Sequence, residues 1–291
     1  MHSNFPGMLN LISNEIKPDR LMINIFSLVI AIASVFLFNF FLARNETLSK
    51  PAFFAPFIFV LFVLEFIRFF NFHPGLMSNF FIILGTHRIF SSYRQEMAKG
   101  PVFDGAFFFS LGALIYAPAL VLLPLVLFSL IVLRPFVWRE WVFAVAGMVI
   151  PPLVLLSIFY LSGDYSSLQD KFLSQISVHG LFFKPNGISQ YFYLFIILTV
   201  LFVIVFQRLT KGYQSKKIRQ QKNITIFVAW LALSACSLFF ENHQQSSIPI
   251  LSIPPLSAII GEWMGNFKKD LKSDFLLLTF FAATVLVVLN L

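Results

Sequence analysis

Apolar residues do not alternate with polar ones along this chain; they come in runs long enough to cross a bilayer, separated by short polar links. A spanning helix needs about 20 apolar residues, or somewhat fewer where the bilayer thins or the span is buried. On that rule the pattern predicts spans at 21–43, 52–70, 76–90, 104–117, 119–133, 141–162, 189–207, 223–241, 248–265 and 274–291. Residues 5–16 read as a short interfacial helix before the first span. The segment 163–188 places Phe172, Leu173, Ile176, Val178, Leu181, Phe182 and Phe183 among polar residues, the pattern of an amphipathic helix lying on the membrane or capping the bundle. The expected fold class is all-α: a polytopic transmembrane helix bundle of about ten spans with an amphipathic outer segment, forming a single domain over 1–291. No internal repeat stands out, so an inverted-repeat transporter is not favoured.

The stretch 104–133 admits two readings, one long kinked helix or two short helices meeting near Tyr116–Pro118. Charge separates them, because Lys and Arg concentrate in cytoplasmic loops. With a hairpin, the inside loops 44–51, 88–103, 134–140, 208–222 and 266–273 hold 16 Lys and Arg and the outside segments hold 5. With a single helix the division falls to 14 against 7. The hairpin is the better fit, and it places both termini outside. Residues 1–20 contain Glu15, Pro18 and Asp19 rather than a basic start and a short apolar run, so the first apolar segment is expected to stay.

Composition narrows the class further. Hydrophobic residues make up 58% of the chain and charged residues 12%, with mean hydropathy +0.83. Soluble domains carry about 25% charged residues, and disordered chains are poor in apolar ones, so both classes are excluded. The 40 Phe residues suit lipid-facing bulk. The formal net charge of +8 sits mainly in short loops, where membrane orientation explains it without nucleic acid. Cys236, the single cysteine, lies within an apolar run and reads as a small packing residue.

Ionisable groups inside a span cost several kcal/mol unless paired or hydrated, which makes each a functional candidate. Glu65 and Arg68 are three apart on the second span, the spacing of a helix-face pair. The predicted topology puts Glu65, Arg68, His73, Glu241 and His243 at one outward-facing level, where Asp164, Asp170 and His179 could cover them. Carboxylates and imidazoles at one level suit general acid/base work or binding of a polar headgroup. Asp104 reads as a helix N-cap, Glu262 as an interface anchor beside Trp263, and Gly261 with Gly265 as a spacing for close helix contact. Pro249, Pro254 and Pro255 predict a distorted helix start. The basic loop 208–222 could bind anionic lipid headgroups or phosphates, although such loops more often only set topology. His2, His73, His87, His179 and His243 never fall at helical ligand spacing, and no phosphate-binding or dinucleotide fingerprint occurs. No metal and no cofactor is expected.

The order of motifs in SNFFIILGTHRIF (78–90) and FDGAFFFSLGALIYAPALVLLPLVLFSLIVLRPFVWREWVFAVAGMVIPPLVL (103–155) resembles an uncharacterised family of bacterial multi-pass inner-membrane proteins known chiefly from the Bacteroidetes. A looser similarity links the Pro- and aromatic-rich middle spans to polyprenyl-linked glycan polymerases and multi-span glycosyltransferases. The looser similarity implies an outward-facing site for a lipid-linked or amphipathic cell-envelope substrate. Two alternatives remain: a non-catalytic membrane subunit packing against a protein partner, and a transporter using Glu65 for proton coupling. Partners expected on any reading are membrane lipid and either a lipid-linked substrate or a membrane protein.

Overall fold

The computed structural model describes residues 20–48, 54–70, 73–134, 136–162, 216–237 and 250–265. Within them the chain is all-α. Its helices are α1 (Arg20–Arg44), α2 (Phe54–Phe70), α3 (Pro74–Ser91), α4 (Lys99–Ile115), α5 (Leu123–Leu133), α6 (Trp138–Ser162), α7 (Ile218–Ser237) and α8 (Ile253–Gly265). Two 3-10 segments, Ala117–Leu122 and Ile250–Ser252, lead into α5 and α8. Proline marks several starts: Pro74, Pro124 and Pro254 each sit in a first turn, where a missing N–H breaks no intrahelical bond. The distortion foreseen around Pro249–Pro255 takes the form of the 3-10 turn before α8.

α4 lies between α3 and α6, α3 packs on α1, α2 packs on α1 and α8, and α7 closes against α5, α8 and both 3-10 segments. Glycine sets the spacing of the central seams. A Cβ on Gly85 of α3 would lie 2.9 Å from the Gly105 carbonyl of α4. One on Gly147 of α6 would lie 2.6 Å from the Phe103 carbonyl of α4. Gly261 does the same for α8, whose backbone rests directly on Ala55 of α2.

Phenylalanine fills the interior as well as the periphery. Phe38 stacks on Phe59 at 4.6 Å, and Phe41, Phe90 and Phe227 meet edge-on at 5.2–6.0 Å with Trp230 stacked beyond. All six side chains are buried. Such pairs add about 0.5–1.5 kcal/mol each beyond the area they bury. Reading Phe as lipid-facing bulk alone therefore missed the aromatic junction of α1, α2, α3 and α7.

Residues 104–133 fold back on themselves. α4 ends at Ile115, the 3-10 turn passes through Pro118, and α5 returns so that Arg134 hydrogen-bonds the carbonyls of Ser92 and Gln95 just before α4. A single long helix would separate these groups by its full length.

Two stretches, Ile25–Arg44 and Trp138–Leu161, are long and apolar enough to cross a membrane; Phe54–Val63, Ala117–Leu133 and Ile250–Glu262 are shorter apolar helices. The most apolar window of the first is 33% buried and that of the second 17%, less than a helix at the centre of a core would be. Phe36, Leu153, Val154 and Leu161 are among the large apolar side chains they expose. A count of about ten spans is not met by helix length among the described residues and rests on the sequence pattern alone. The predicted spans 189–207 and 274–291 and the segments 5–16 and 163–188 lie outside the described residues.

Three local expectations need correction. Asp104 is no N-cap, because α4 starts five residues earlier at Lys99 and Asp104 instead pairs with Arg88 at 3.0 Å. Glu262 is no snorkelling anchor: its side chain is 3% exposed and bonded to Lys216. Cys236 is exposed rather than packed inside.

The α2–α8 contact gives a direct test. Gly261→Val forces β-branched bulk onto Ala55 and should destabilise by about 1–3 kcal/mol. Gly100→Ala, with open space around it, should be neutral or slightly stabilising. Thermal unfolding of both variants in mild detergent checks the pair.

Candidate functional site

Helix ends carry the polar chemistry of this molecule, and the two ends of the bundle differ. At one end the C-termini of α1, α3 and α5 meet the N-termini of α4, α6 and α7. Asn45, just past α1, is the hub. Its Nδ2 donates to the Phe41 carbonyl at 3.0 Å and to His87 Nδ1 at 2.9 Å, which leaves the proton of a neutral His87 on Nε2. Its Oδ1 lies 3.5 Å from the Arg219 guanidinium, and its carbonyl accepts from Asn223 at 3.4 Å. Gln220 reaches the Leu48 carbonyl at 3.1 Å. Residues far apart in sequence thus tie α1, α3 and α7 together.

A second cluster holds the α3–α4 connection. Arg134 Nε bonds Glu140 at 3.1 Å with side chains only 7% and 5% exposed. The same guanidinium donates to the carbonyls of Ser92 (2.9 Å) and Gln95 (2.6 Å), and Glu140 accepts from the Ala98 N–H at 3.3 Å. Each polar face of the pair is met, which is the condition for a buried ion pair to hold. Lys216–Glu262, at 2.6 Å, forms a second buried pair joining α7 to α8. Arg88–Asp104 is half exposed and contributes about 0–1 kcal/mol.

Tyr93 completes this end. The Arg219 guanidinium and the Lys222 ammonium lie 5.5 and 5.4 Å from its ring centre. Lys222 also donates to the Leu133 carbonyl at 3.2 Å. Glu46 and Arg94, which follow Asn45 and Tyr93, are the non-glycine residues with positive φ among those described, at 46° and 61°. The turns that present the two hubs are therefore strained ones.

The opposite end contains the one sequence-predicted site residue whose side chain is described. His73 caps α3: its Nδ1 accepts from the Gly75 N–H at 3.0 Å, and its ring meets Tyr116 edge-on at 5.3 Å. The imidazole is buried, and burial lowers its pKa from 6.5 to about 4. It is therefore neutral at physiological pH. Ile250, seven residues beyond His243 in sequence, packs against Gly75, and its carbonyl accepts from Asn79 at 3.4 Å. Glu65 and Arg68 lie on α2, as their spacing required, but their side chains lie outside the described residues, as do Glu241 and His243 entirely. Among the described residues no group of three His, Cys, Asp or Glu converges as a metal site would.

Sequence reasoning passed over Asn45, Tyr93, Gln220 and Asn223. The available signal was weak: three amides and a tyrosine at helix ends, each beside a basic residue. Glu140 was more visible, as the one acid in the otherwise basic 134–140 loop.

Two measurements follow from these clusters. Glu140→Gln leaves Arg134 buried without its counter-charge and should cost about 3–5 kcal/mol, whereas Asp104→Asn at the exposed pair should cost under about 1 kcal/mol. Melting temperatures in detergent compare them. For His73 the folded pKa lies below the unfolded one, so its contribution is full above pH 6.5 and is lost as pH falls through about 4. His73→Asn keeps a capping side chain without a titrating group, and should flatten the loss of stability between those pH values.

The comparisons with known proteins come to one match. A family model described as a family of unknown function (DUF6427) matches residues 8–290. No curated protein and no solved structure matches the chain. With nearly its whole length matched, the chain belongs to the DUF6427 family.

Proposed function

We propose that this chain is a multi-pass protein of the bacterial inner membrane with about ten spans, its basic end cytoplasmic and both termini outside. One observation carries the membrane reading. Arg44, Arg94, Arg134, Arg139, Lys217 and Lys222 gather at one end of the helices, while the flanks of α1 and α6 present mainly apolar surface, broken by Asn39 and Ser157. Charge sorted to one end and mainly apolar flanks suit a bundle oriented in lipid by the positive-inside bias. The resemblance to an uncharacterised family of multi-pass inner-membrane proteins known chiefly from the Bacteroidetes supports the bacterial inner membrane, and only the looser similarity to polyprenyl-linked glycan polymerases supports a cell-envelope role.

At the outward end the chain handles a lipid-linked or amphipathic envelope substrate, with Glu65, Arg68, Glu241 and His243 as binding groups. His73 belongs to that level but acts there as a neutral helix cap. A second reading, a non-catalytic membrane subunit, gains from this finding, since one of the two imidazoles proposed for acid/base work is committed to structure.

Substituting Glu65→Gln and Glu241→Gln in the full chain, in cells that depend on it, separates these readings. A Ser166→Cys reporter in a Cys236→Ser background checks insertion, since an impermeant thiol reagent should label it from outside. The substrate reading expects correct labelling with loss of growth or envelope integrity. Correct labelling with an intact phenotype removes the outward site and leaves the subunit reading. Failure to label Ser166→Cys, with labelling of Lys217→Cys instead, would reverse the orientation.

A further inference from the structure

Two cations at the basic end have no counter-ion among the described residues. Arg219 and Lys222 are three apart on the first turns of α7, so they share one helix face, and both approach the ring of Tyr93. Among the described residues no carboxylate lies within ion-pair distance of either. Of the acids at this end, Glu140 is committed to Arg134, Glu262 to Lys216 and Asp104 to Arg88, while Glu46 and Glu96 are exposed and lie beyond ion-pair distance of Arg219 and Lys222. Arg219 Nε is buried without a hydrogen-bond partner in the described structure, and the Asn45 contact at 3.5 Å is the limit of a bond. The described polar partner of Lys222 is a neutral carbonyl.

Like charges brought together and partly removed from water repel, and the arrangement stands only if something of opposite charge offsets it. The N-terminus of α7 adds its own partial positive charge at the same place. A planar guanidinium, an ammonium and a helix N-terminus together match the oxygens of a phosphate group better than a single carboxylate.

We propose that Arg219 and Lys222, backed by Tyr93 and Asn45, form a binding site for a phosphate-bearing anion. The phosphate comes from an anionic lipid headgroup or from a free phosphate. The lipid source rests on the membrane reading above; the free source does not.

The full chain in neutral detergent would be titrated with phosphatidylglycerol, phosphatidylcholine and inorganic phosphate, with bound lipid read by native mass spectrometry. The comparison is among the wild type, the Arg219→Gln/Lys222→Gln variant and Lys217→Gln, which removes an exposed charge from the same region. Phosphatidylglycerol should bind in preference to phosphatidylcholine, about tenfold more weakly in the double variant and almost unchanged in Lys217→Gln. If inorganic phosphate displaces the lipid or alone raises the wild-type melting temperature, with sodium chloride of equal ionic strength failing to do so, the free anion is also a ligand. Arg219→Lys keeps the charge but loses the fork, and should fall between wild type and double variant; it serves if the double variant does not fold. Binding of neither phosphate source to the wild type overturns the site. Equal losses in Lys217→Gln and the double variant also overturn it, because they mark diffuse charge rather than a built site. Resistance of the chain to alkaline extraction from membranes, measured separately, tests the membrane reading by itself.

Discussion

A guanidinium taken out of water has to find its partners inside the protein, and Arg134 finds them in three directions. Its Nε meets Glu140 while its two terminal nitrogens meet the carbonyls of Ser92 and Gln95. Those bonds decide the course of the chain at the basic end. They bring the end of α5 back beside the start of α4 and thereby make 104–133 a hairpin. Through Glu140 they also hold the Ala98 N–H at the start of α4 and anchor the first turn of α6. Desolvating such a pair is expensive, and the carbonyls and amide that complete it are what allow the ion pair to persist. The placement of Tyr93 depends on it too, since that residue lies in the segment between Ser92 and Gln95.

Packing elsewhere depends on small residues and flat rings rather than on size. Where helices come closest, glycine faces backbone: Gly85 and Gly105 across α3–α4, Gly147 on α4, and Gly261 on Ala55. If the flanks lie in lipid, burying apolar surface between helices yields little, because hydrocarbon is as apolar as the core. Close contact and dispersion then have to hold the bundle together. The aromatic junction built from Phe41, Phe90, Phe227 and Trp230 adds rigid area at low entropic cost where three helices cross. The Asn45–His87–Arg219 cluster sits directly on it, with Phe40 and Phe41 against the His87 ring.

The helices were legible in the sequence because their signal is local. Apolar runs mark α1, α2, α3 and α6 to within three residues and miss the starts of α4, α5, α7 and α8 by four or five, and the Tyr116–Pro118 break marks the hairpin. Pairing was not legible, because it depends on separation in sequence that no window captures. Asp104 reads as a cap until Arg88 is seen beside it, and Glu262 reads as an anchor until Lys216, 46 residues away, is found within 2.6 Å. The Asn45–Arg219 contact joins residues 174 apart. His73 is the instructive case among the candidate site residues. The sequence pattern puts it in the link before a span expected to start at 76, whereas the helix starts at Pro74 and makes His73 its cap; an imidazole there can titrate or cap, and burial decides between them.

That decision shapes what the two ends of the molecule can do. At the His73 end, the described polar groups are neutral: an imidazole held unprotonated, the Tyr116 ring, and Asn79 against a carbonyl. Any charge-dependent chemistry there has to come from Glu65, Arg68, Glu241 or His243. At the other end the balance is reversed, with three ion pairs closed on themselves and further cations left over on α7. A protein that needed this end only for orientation could leave its cations exposed to water, where they cost nothing. Burying Arg219 Nε beside a strained turn costs free energy, and some compensating interaction has to offset it. The argument for a ligand at the basic end thus rests less on the number of positive charges than on the half-buried Arg219, whose Nε is shut away from water without a described partner.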